Sequence, residues 1–505
     1  MLYCASKMDC IVRFFPKLVS IALYILVVQS YGYLNITDEL GPLLSSEAEI
    51  VFPGSVEFLA ATDRDNEQDP PTFSVVVEVA TESDVQETVR YANRHEIAFL
   101  ATTGLHGGTT TLGKLQQGIN IRMRKMNCTS IAADGYSATF GGGILGLEVK
   151  NDLWAVAKET VTGSCECVSL VGPLLGGGYG YLQGFYGLIS DNLISARLVL
   201  GNGDAISVSA KEKPDLFWAL QGAGHNFGII TQVETRIYDV PSDNWAYAQF
   251  IFTHDKVEDV FAQLNNWTMD GTKYMPVEFI NKNIFARIPP IDADNAVIIC
   301  NIFHRGTSVV PARYTAPLLA IGPVTTAENV TDYPGLAVID GTNMDNTVCQ
   351  QHDAANMMFP VSVKSYNIQA QRTTFDAFNA FTADSTFSNS AVLFEAYSTE
   401  AVKSVKSESS AFPHRADNIL ITPVISYAVN KTLDDKSIEF GNGLRQALHA
   451  ADRSTELHAY VNYAHGDETL QEVYGFEAWR LARLQTLKEK YDPRNRFGFY
   501  APIHA

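Results

Sequence analysis

The chain has 505 residues, 46% of them hydrophobic and 18% charged, with a formal charge of −19. A chain of this length buries a large core, and the composition excludes a disordered chain, a disulfide-dense miniprotein and a collagen-like fibre. No basic run relieves the negative balance, so neither nucleic acid nor an anionic membrane surface is an expected partner.

Arg13 and Lys17 precede the apolar run LVSIALYILVV at 18–28. It has the length of a signal h-region and is too short to span a bilayer. Small residues follow at Ser30 and Gly32, so 1–32 reads as a signal peptide cleaved near Gly32, with a buried helix or an uncleaved anchor as the alternative. Cleavage removes Lys7, Arg13, Lys17 and Asp9 and takes the charge from −19 to −21. No other stretch reads as transmembrane, so no membrane partner is expected afterwards. Sequons begin at Asn35, Asn127, Asn266, Asn329 and Asn430 and agree with a secreted glycoprotein, although chance supplies a few in a chain this long. Of the cysteines, Cys4 and Cys10 leave with the leader. Cys128, Cys165, Cys167, Cys300 and Cys349 remain, an odd set in which one is free, intermolecular or otherwise occupied.

Beyond the leader, SVVVEV at 74–79 reads as a buried strand. Ser83 to Gln86 has the form of a capping box, and Val85, Val89 and Ala92 recur at helical spacing. IAFLAT at 97–102 is a second strand, which makes 74–102 a strand–helix–strand unit. Further strands are expected at 138–141, 196–200, 205–208 and 228–237. From about 240 to 457 the glycine clusters stop, and runs such as WAYAQFIF (245–252), AVIICNIF (296–303) and NILITPVISYAV (418–429) alternate with helical stretches. This is an α+β pattern. Near the C-terminus Leu481, Leu484, Leu487 and Tyr491 share a helical face, which Asp492-Pro493 ends.

Three glycine-rich motifs carry chemistry. In TTGLHGGTTTLG (102–113) the glycines allow a path closed to other residues, and successive N–H groups can nest around a pyrophosphate. Thr102, Thr103 and Thr109 add hydroxyls, and His106 sits at the centre. A plain glycine turn with a surface histidine explains the motif as well. In TGSCECVSLVGPLLGGGYG (162–180), Gly176, Gly177 and Gly178 permit close approach to a planar ligand. Cys165-Glu166-Cys167 is read as a disulfide partner beside a buried thiol. No second cysteine or histidine pair supplies metal ligands, so no metal is expected. In PDLFWALQGAGHNFGIIT (214–231) a helix starting at Asp215 precedes Gly222, Gly224 and Gly228. That is the reverse of a Rossmann order, and a nucleotide site of that type is rejected.

Taken together, the strand at 75–79, His106-Gly107, Gly163-Ser164-Cys165, Gly176 to Gly180, Gly187-Leu188 with Asp191-Asn192, Asp215 to Trp218, Gly222 to Thr231, Tyr460-Val461-Asn462-Tyr463 and Tyr491-Asp492-Pro493 resemble the flavin-linked oxidases of the vanillyl-alcohol oxidase and p-cresol methylhydroxylase superfamily. Within it the chain is most similar to the berberine bridge enzyme-like branch, in its fungal form. The likeness covers nearly all of 70–240 and 460–503 and is weak between them.

The resemblance implies a two-subdomain FAD-binding domain of the p-cresol methylhydroxylase type at 70–240. It implies an α+β substrate domain with an antiparallel sheet at 241–457 and a segment at 458–505 returning to the FAD domain. It implies that FAD is held doubly, at its 8α position by His106 and at C6 by Cys165. That would leave Cys128, Cys167, Cys300 and Cys349 as pairing partners. Thr103, Gly104, Leu105, Gly107, Gly108, Gly163, Val168, Gly176, Gly177, Gly178, Gly228, Ile230 and Asn462 would contact the cofactor, with Val168 leaving room for O2. There are departures. Thr102 and Leu105 stand where the family has an arginine and a glycine, and Pro173 stands where many members have a histidine beside the ribityl chain.

The implied reaction passes a hydride to flavin N5 and electrons to O2, giving H2O2. A base must also take a proton from the small-molecule substrate. Tyr460, read as lying on a strand, and Glu395 are the candidates, with Arg415 as a cation that would lower a tyrosine pKa. The competing readings are an oxidase of secondary metabolites, a carbohydrate oxidase with a groove of aromatics such as Trp245, Trp267 and Tyr274, and a non-catalytic flavin-binding protein.

Overall fold

Residues 36–268, 275–350, 353–452 and 454–504 are described in a computed structural model. The expected leader, the Asn35 sequon and Tyr274 lie outside them. Among the described residues three large sheets organise the chain.

The first sheet centres on valines. Val75, Val76 and Val77 of the strand Phe73–Glu78 are buried, and Val75 and Val77 share one cluster with Val85 and Val89 of the helix Glu82–Arg94. The helix begins earlier than the capping-box reading placed it. Thr81 is the N-cap: its hydroxyl accepts from the Asp84 N–H at 3.2 Å, and Asp84 Oδ2 accepts from the Thr81 N–H at 2.8 Å. A carboxylate holds a helix N-terminus better than the Gln86 amide, which instead donates to Gly203 O.

The strand–helix–strand unit is present, yet its strands are not neighbours. Gly118–Arg122 lies between Phe73–Glu78 and Phe99–Thr102, parallel to both. At its centre Asn120 is fully buried. Its Oδ1 accepts from Thr102 Oγ1 at 2.6 Å, and its Nδ2 donates to Ala61 O at 2.8 Å. Thr102 therefore serves the sheet.

The second sheet is antiparallel, in the order Thr129–Ile131, Ser137–Gly141, Ile229–Arg236, Leu193–Val199, Ala205–Ser209. The four strands expected here are all present, within a few residues at their ends. The third sheet is wholly antiparallel and runs Thr325–Thr331, Trp245–Phe252, Val297–Arg305, Phe279–Ala286, Ala391–Tyr397, Ile419–Ala428, Ala354–Met358. The helices Val257–Asn265, Ile368–Phe381 and Asp434–Ala450 bury Phe261, Phe375 and Leu444 in the cluster on one of its faces. The whole is an α+β fold.

The C-terminal helix Ala478–Tyr491 buries Leu484 and Leu487 in the core of the second sheet, with Leu481 and Tyr491 at its margin. Tyr460 is not on a strand. Val461–Tyr463 is a single 3-10 turn closed by the Tyr463 N–H on Tyr460 O at 2.9 Å, and no strand among the described residues pairs with it. No described helix is long and apolar enough to cross a membrane. Asn127, Asn266, Asn329 and Asn430 are all exposed.

Candidate active site

A cavity of about 560 Å³ runs between the first two sheets and one end of the third. Its volume and largely apolar wall suit an organic ligand. His106 and Cys165 both open onto it, brought from different loops. The His106 loop leaves the strand Phe99–Thr102, and the Cys165 loop leads into the short helix Val171–Leu175. Gly104 lets them meet, since a Cβ there would stand 2.5 Å from Cys167 O. Leu105 takes φ +63°, a left-handed turn that favours glycine, where the family's glycine is missing. Arg122 Nη1 donates to Thr103 O at 2.6 Å and stiffens the turn. Burial lowers the Arg122 pKa to about 10, which still leaves it charged.

Of the residues expected at the cofactor, Thr103, Gly104, Leu105, His106, Gly107, Gly163, Cys165, Val168, Gly228, Ile230 and Asn462 line the cavity. Gly108, Gly176, Gly177 and Gly178 do not. The glycine triplet is needed for close approach, but by the protein itself. Cβ atoms there would meet Asn462 Oδ1 at 2.1 Å, Phe412 at 2.5 Å and Ile189 at 2.7 Å. Gly108 faces Asn66, whose Nδ2 donates to its carbonyl at 2.9 Å. Pro173 is on the wall, and its carbonyl accepts from Asn462 Nδ2 at 2.9 Å.

Cys165 is in no disulfide. Cys167 is joined to Cys349. Cys128 and Cys300 are also free, so the remaining four do not form two pairs: Cys128 is exposed and Cys300 is buried. Burial pushes the Cys165 thiol up to about 12, against the opposing pull of Lys282.

The far end of the cavity is a patch of ionisable side chains on the third sheet. Glu395, on Ala391–Tyr397, stands directly across from Lys282 on Phe279–Ala286. Lys282 is paired with the buried Asp340, which also receives the Tyr181 hydroxyl. Burial works against the Lys282 charge, but Asp340 and Glu395 hold its pKa above the ordinary lysine value. Glu395 Oε1 accepts from the Tyr397 hydroxyl at 2.8 Å, while its buried Oε2 has no well-formed hydrogen bond, with the Tyr463 hydroxyl also interacting with the carboxylate. Burial, with the Glu395 charge added, pushes Tyr397 and Tyr463 well above the usual phenol range.

Tyr460 lines the same end. Its oxygen accepts from Asn462 Nδ2 at 2.7 Å and from the Tyr179 N–H at 3.3 Å, and burial raises its pKa. Arg415 does not lower it. Its guanidinium is committed to Asp191 at 2.6 Å and to Ser410 Oγ at 2.8 Å. Trp245 and Trp267 are off the wall, packed against Tyr333 and Phe279 respectively. His414, Asp417 and His458 have ligand atoms within 4.8 Å of one another. There His458 Nδ1 bonds Asp417 at 2.8 Å and His414 Nε2 bonds Glu472 O at 3.0 Å.

Lys282, Asp340 and Tyr397 were missed in the sequence. A lysine inside the apolar strand FINKNIFA was the available signal.

The FAD binding domain family matches residues 73–209, and the berberine and berberine like family matches 459–504. The chain is 41% identical to the FAD-linked oxidoreductase chyH of Penicillium rubens over 92% of this chain and 93% of that one. In fold it is similar to BBE-like 1 of Physcomitrella patens (TM-score 0.80, 21% identity, 93% and 99% covered). It is also similar to the glucooligosaccharide oxidase of Acremonium strictum, described as carrying a 6-S-cysteinyl, 8α-N1-histidyl FAD (TM-score 0.78, 19% identity, 93% and 99% covered).

Proposed function

The chain belongs to the FAD-linked oxidoreductases that carry a berberine-like C-terminal segment, and on that premise we propose that it is a secreted oxidase. Its substrate is a small, largely apolar secondary metabolite, and its flavin is attached through both His106 and Cys165. The residues present fit the cofactor: Gly163 faces open space, and His106 and Cys165 reach the cavity from separate loops. In this reading 70–240 holds the flavin, 241–457 supplies the substrate face, and 458–505 closes the cavity with Tyr460 and Asn462.

Bound FAD supplies the hydride acceptor and the route by which O2 becomes H2O2. The chain's part is to place the substrate and move one proton. Glu395 is the base: Tyr397 fixes one carboxylate oxygen, and the other remains to accept the proton of a substrate O–H or N–H. Tyr460 is a hydrogen-bond donor, because its oxygen already accepts twice and burial keeps its proton on. Ile284, Met358 and Leu393 on the cavity wall favour an apolar ring and exclude water.

The observation that carries this reading is a carboxylate, one of whose oxygens has no well-formed hydrogen bond, in the cavity that His106 and Cys165 share. A carbohydrate oxidase is the second reading, favoured by the glucooligosaccharide oxidase likeness and by Tyr179, Tyr397, Tyr460 and Tyr463 on the wall. H2O2 release decides between them, assayed over aromatic alcohols, cyclic amines and oligosaccharides. Turnover confined to oligosaccharides overturns the first reading. The exposed sequons at Asn127, Asn266, Asn329 and Asn430 support secretion, and glycan-bearing peptides from the medium would test it.

A further inference from the structure

Three consecutive residues upstream of the first parallel strand fasten the His106 loop. Arg64, 4% exposed, donates from Nη2 to Gly107 O at 2.6 Å. The Asp65 N–H reaches Leu105 O at 3.4 Å, and its carboxylate Oδ1 stands 3.7 Å from His106 Nδ1. Asn66, 3% exposed, donates from Nδ2 to Gly108 O at 2.9 Å. The same segment is pinned from behind by the strand Ala354–Met358. Asn356 Nδ2 donates to Asp65 O at 2.6 Å, the Asn356 N–H to Asn66 Oδ1 at 3.0 Å, and the Glu67 N–H to Ala354 O at 2.9 Å. Arg64 and Asp65 both line the cavity. Strap, loop and sheet thus leave the Asp65 carboxylate little freedom to stand anywhere but beside the imidazole.

We propose that Asp65 is the positioning residue for flavin attachment at His106, holding the ring in the attacking orientation and taking its N–H proton as the bond to the flavin forms. This rests on the reading that His106 is an attachment point. In the step one imidazole N–H bond and one C–H bond of the 8-methyl group break, and an N–C bond forms. The imidazole proton passes to Asp65, while the methyl proton and the two electrons released go to the flavin ring and reduce it. O2 then takes these electrons with two protons as H2O2, restoring the oxidised, attached cofactor. A carboxylate beside the nitrogen that must lose its proton lowers the barrier, and a rigid strap removes the entropy of finding the geometry.

The test uses the full-length holoprotein, denatured, digested and read for flavin on the His106 and Cys165 peptides by absorbance and mass. Wild type is expected to carry flavin on both. Asp65→Asn is expected to lower His106 attachment by about tenfold or more while the Cys165 peptide keeps its flavin, which also reports that the variant folds and binds FAD. Asp65→Glu is expected to restore part of the loss. Unchanged His106 attachment in Asp65→Asn overturns the proposal. Equal loss from both peptides also overturns it, by assigning Asp65 to FAD binding as a whole. A wild-type His106 peptide without flavin defeats the attachment reading itself, a result distinct from either of these.

Discussion

The two walls of the cavity are made differently. Residues 99–107, 163–175 and 228–230 bring backbone against backbone: Gly104 abuts the Cys167 carbonyl, and a disulfide and a strap hold the loops in place. Lys282, Asp340, Glu395 and Tyr397 on the opposite wall act through their side chains, three of them projecting from neighbouring strands whose register alone sets their spacing. The first wall depends on shape and tolerates little added volume. The second depends on charge and tolerates isosteric change in everything but function.

The largest expected effect breaks the second wall without touching the first. Glu395→Gln keeps volume and the Tyr397 contact but loses the proton acceptor. It is expected to lower kcat/KM by about 10²–10⁴-fold with flavin content unchanged, measured as H2O2 release with the best substrate of the screen. Loss of flavin from this variant would merge the two walls into one unit.

The first wall is broken by removing its cross-link. Cys167→Ser with Cys349→Ser opens a bond spanning 182 residues and is expected to cost about 2–5 kcal/mol, read as a fall in Tm. Next comes acid. His225, on this wall and stacked on Tyr500, is held by burial at a pKa of about 4. Its folded pKa lies below its unfolded value, so the unfolded chain binds the extra proton. The associated stability is complete above about pH 6.5 and is lost as pH falls toward 4, up to about 3 kcal/mol. In His225→Gln the pH dependence of Tm over that window is expected to flatten.

Gly104→Ala is the mildest. One methyl against the Cys167 carbonyl is expected to cost about 1–3 kcal/mol and to lower flavin loading, measured as flavin per purified protein.

The first wall was the more legible in sequence, because glycine marks close backbone approach wherever it occurs. The mark does not say what approaches: Gly176, Gly177 and Gly178 read as a ligand platform yet receive Asn462, Phe412 and Ile189. Strands rich in aromatic residues, such as Trp245–Phe252, were legible to the residue. Gly118–Arg122 and Phe279–Ala286 were not, since a buried asparagine and a cavity-facing lysine break the apolar run from which a strand is read. The strap at Arg64 to Asn66 has no periodicity, and its meaning exists only once Ala354–Met358 is folded behind it.

Cys165 and Cys167 stand two residues apart, yet only Cys167 reaches Cys349. Oxidation of the newly made chain is therefore a choice between two near-identical rivals for one partner. Burial pushes the Cys165 thiol up to about 12, which makes it the weaker rival for that exchange. Once the fold closes, Cys349 is taken by Cys167, and the Cys165 sulfur faces the cavity, available for the flavin attachment proposed above.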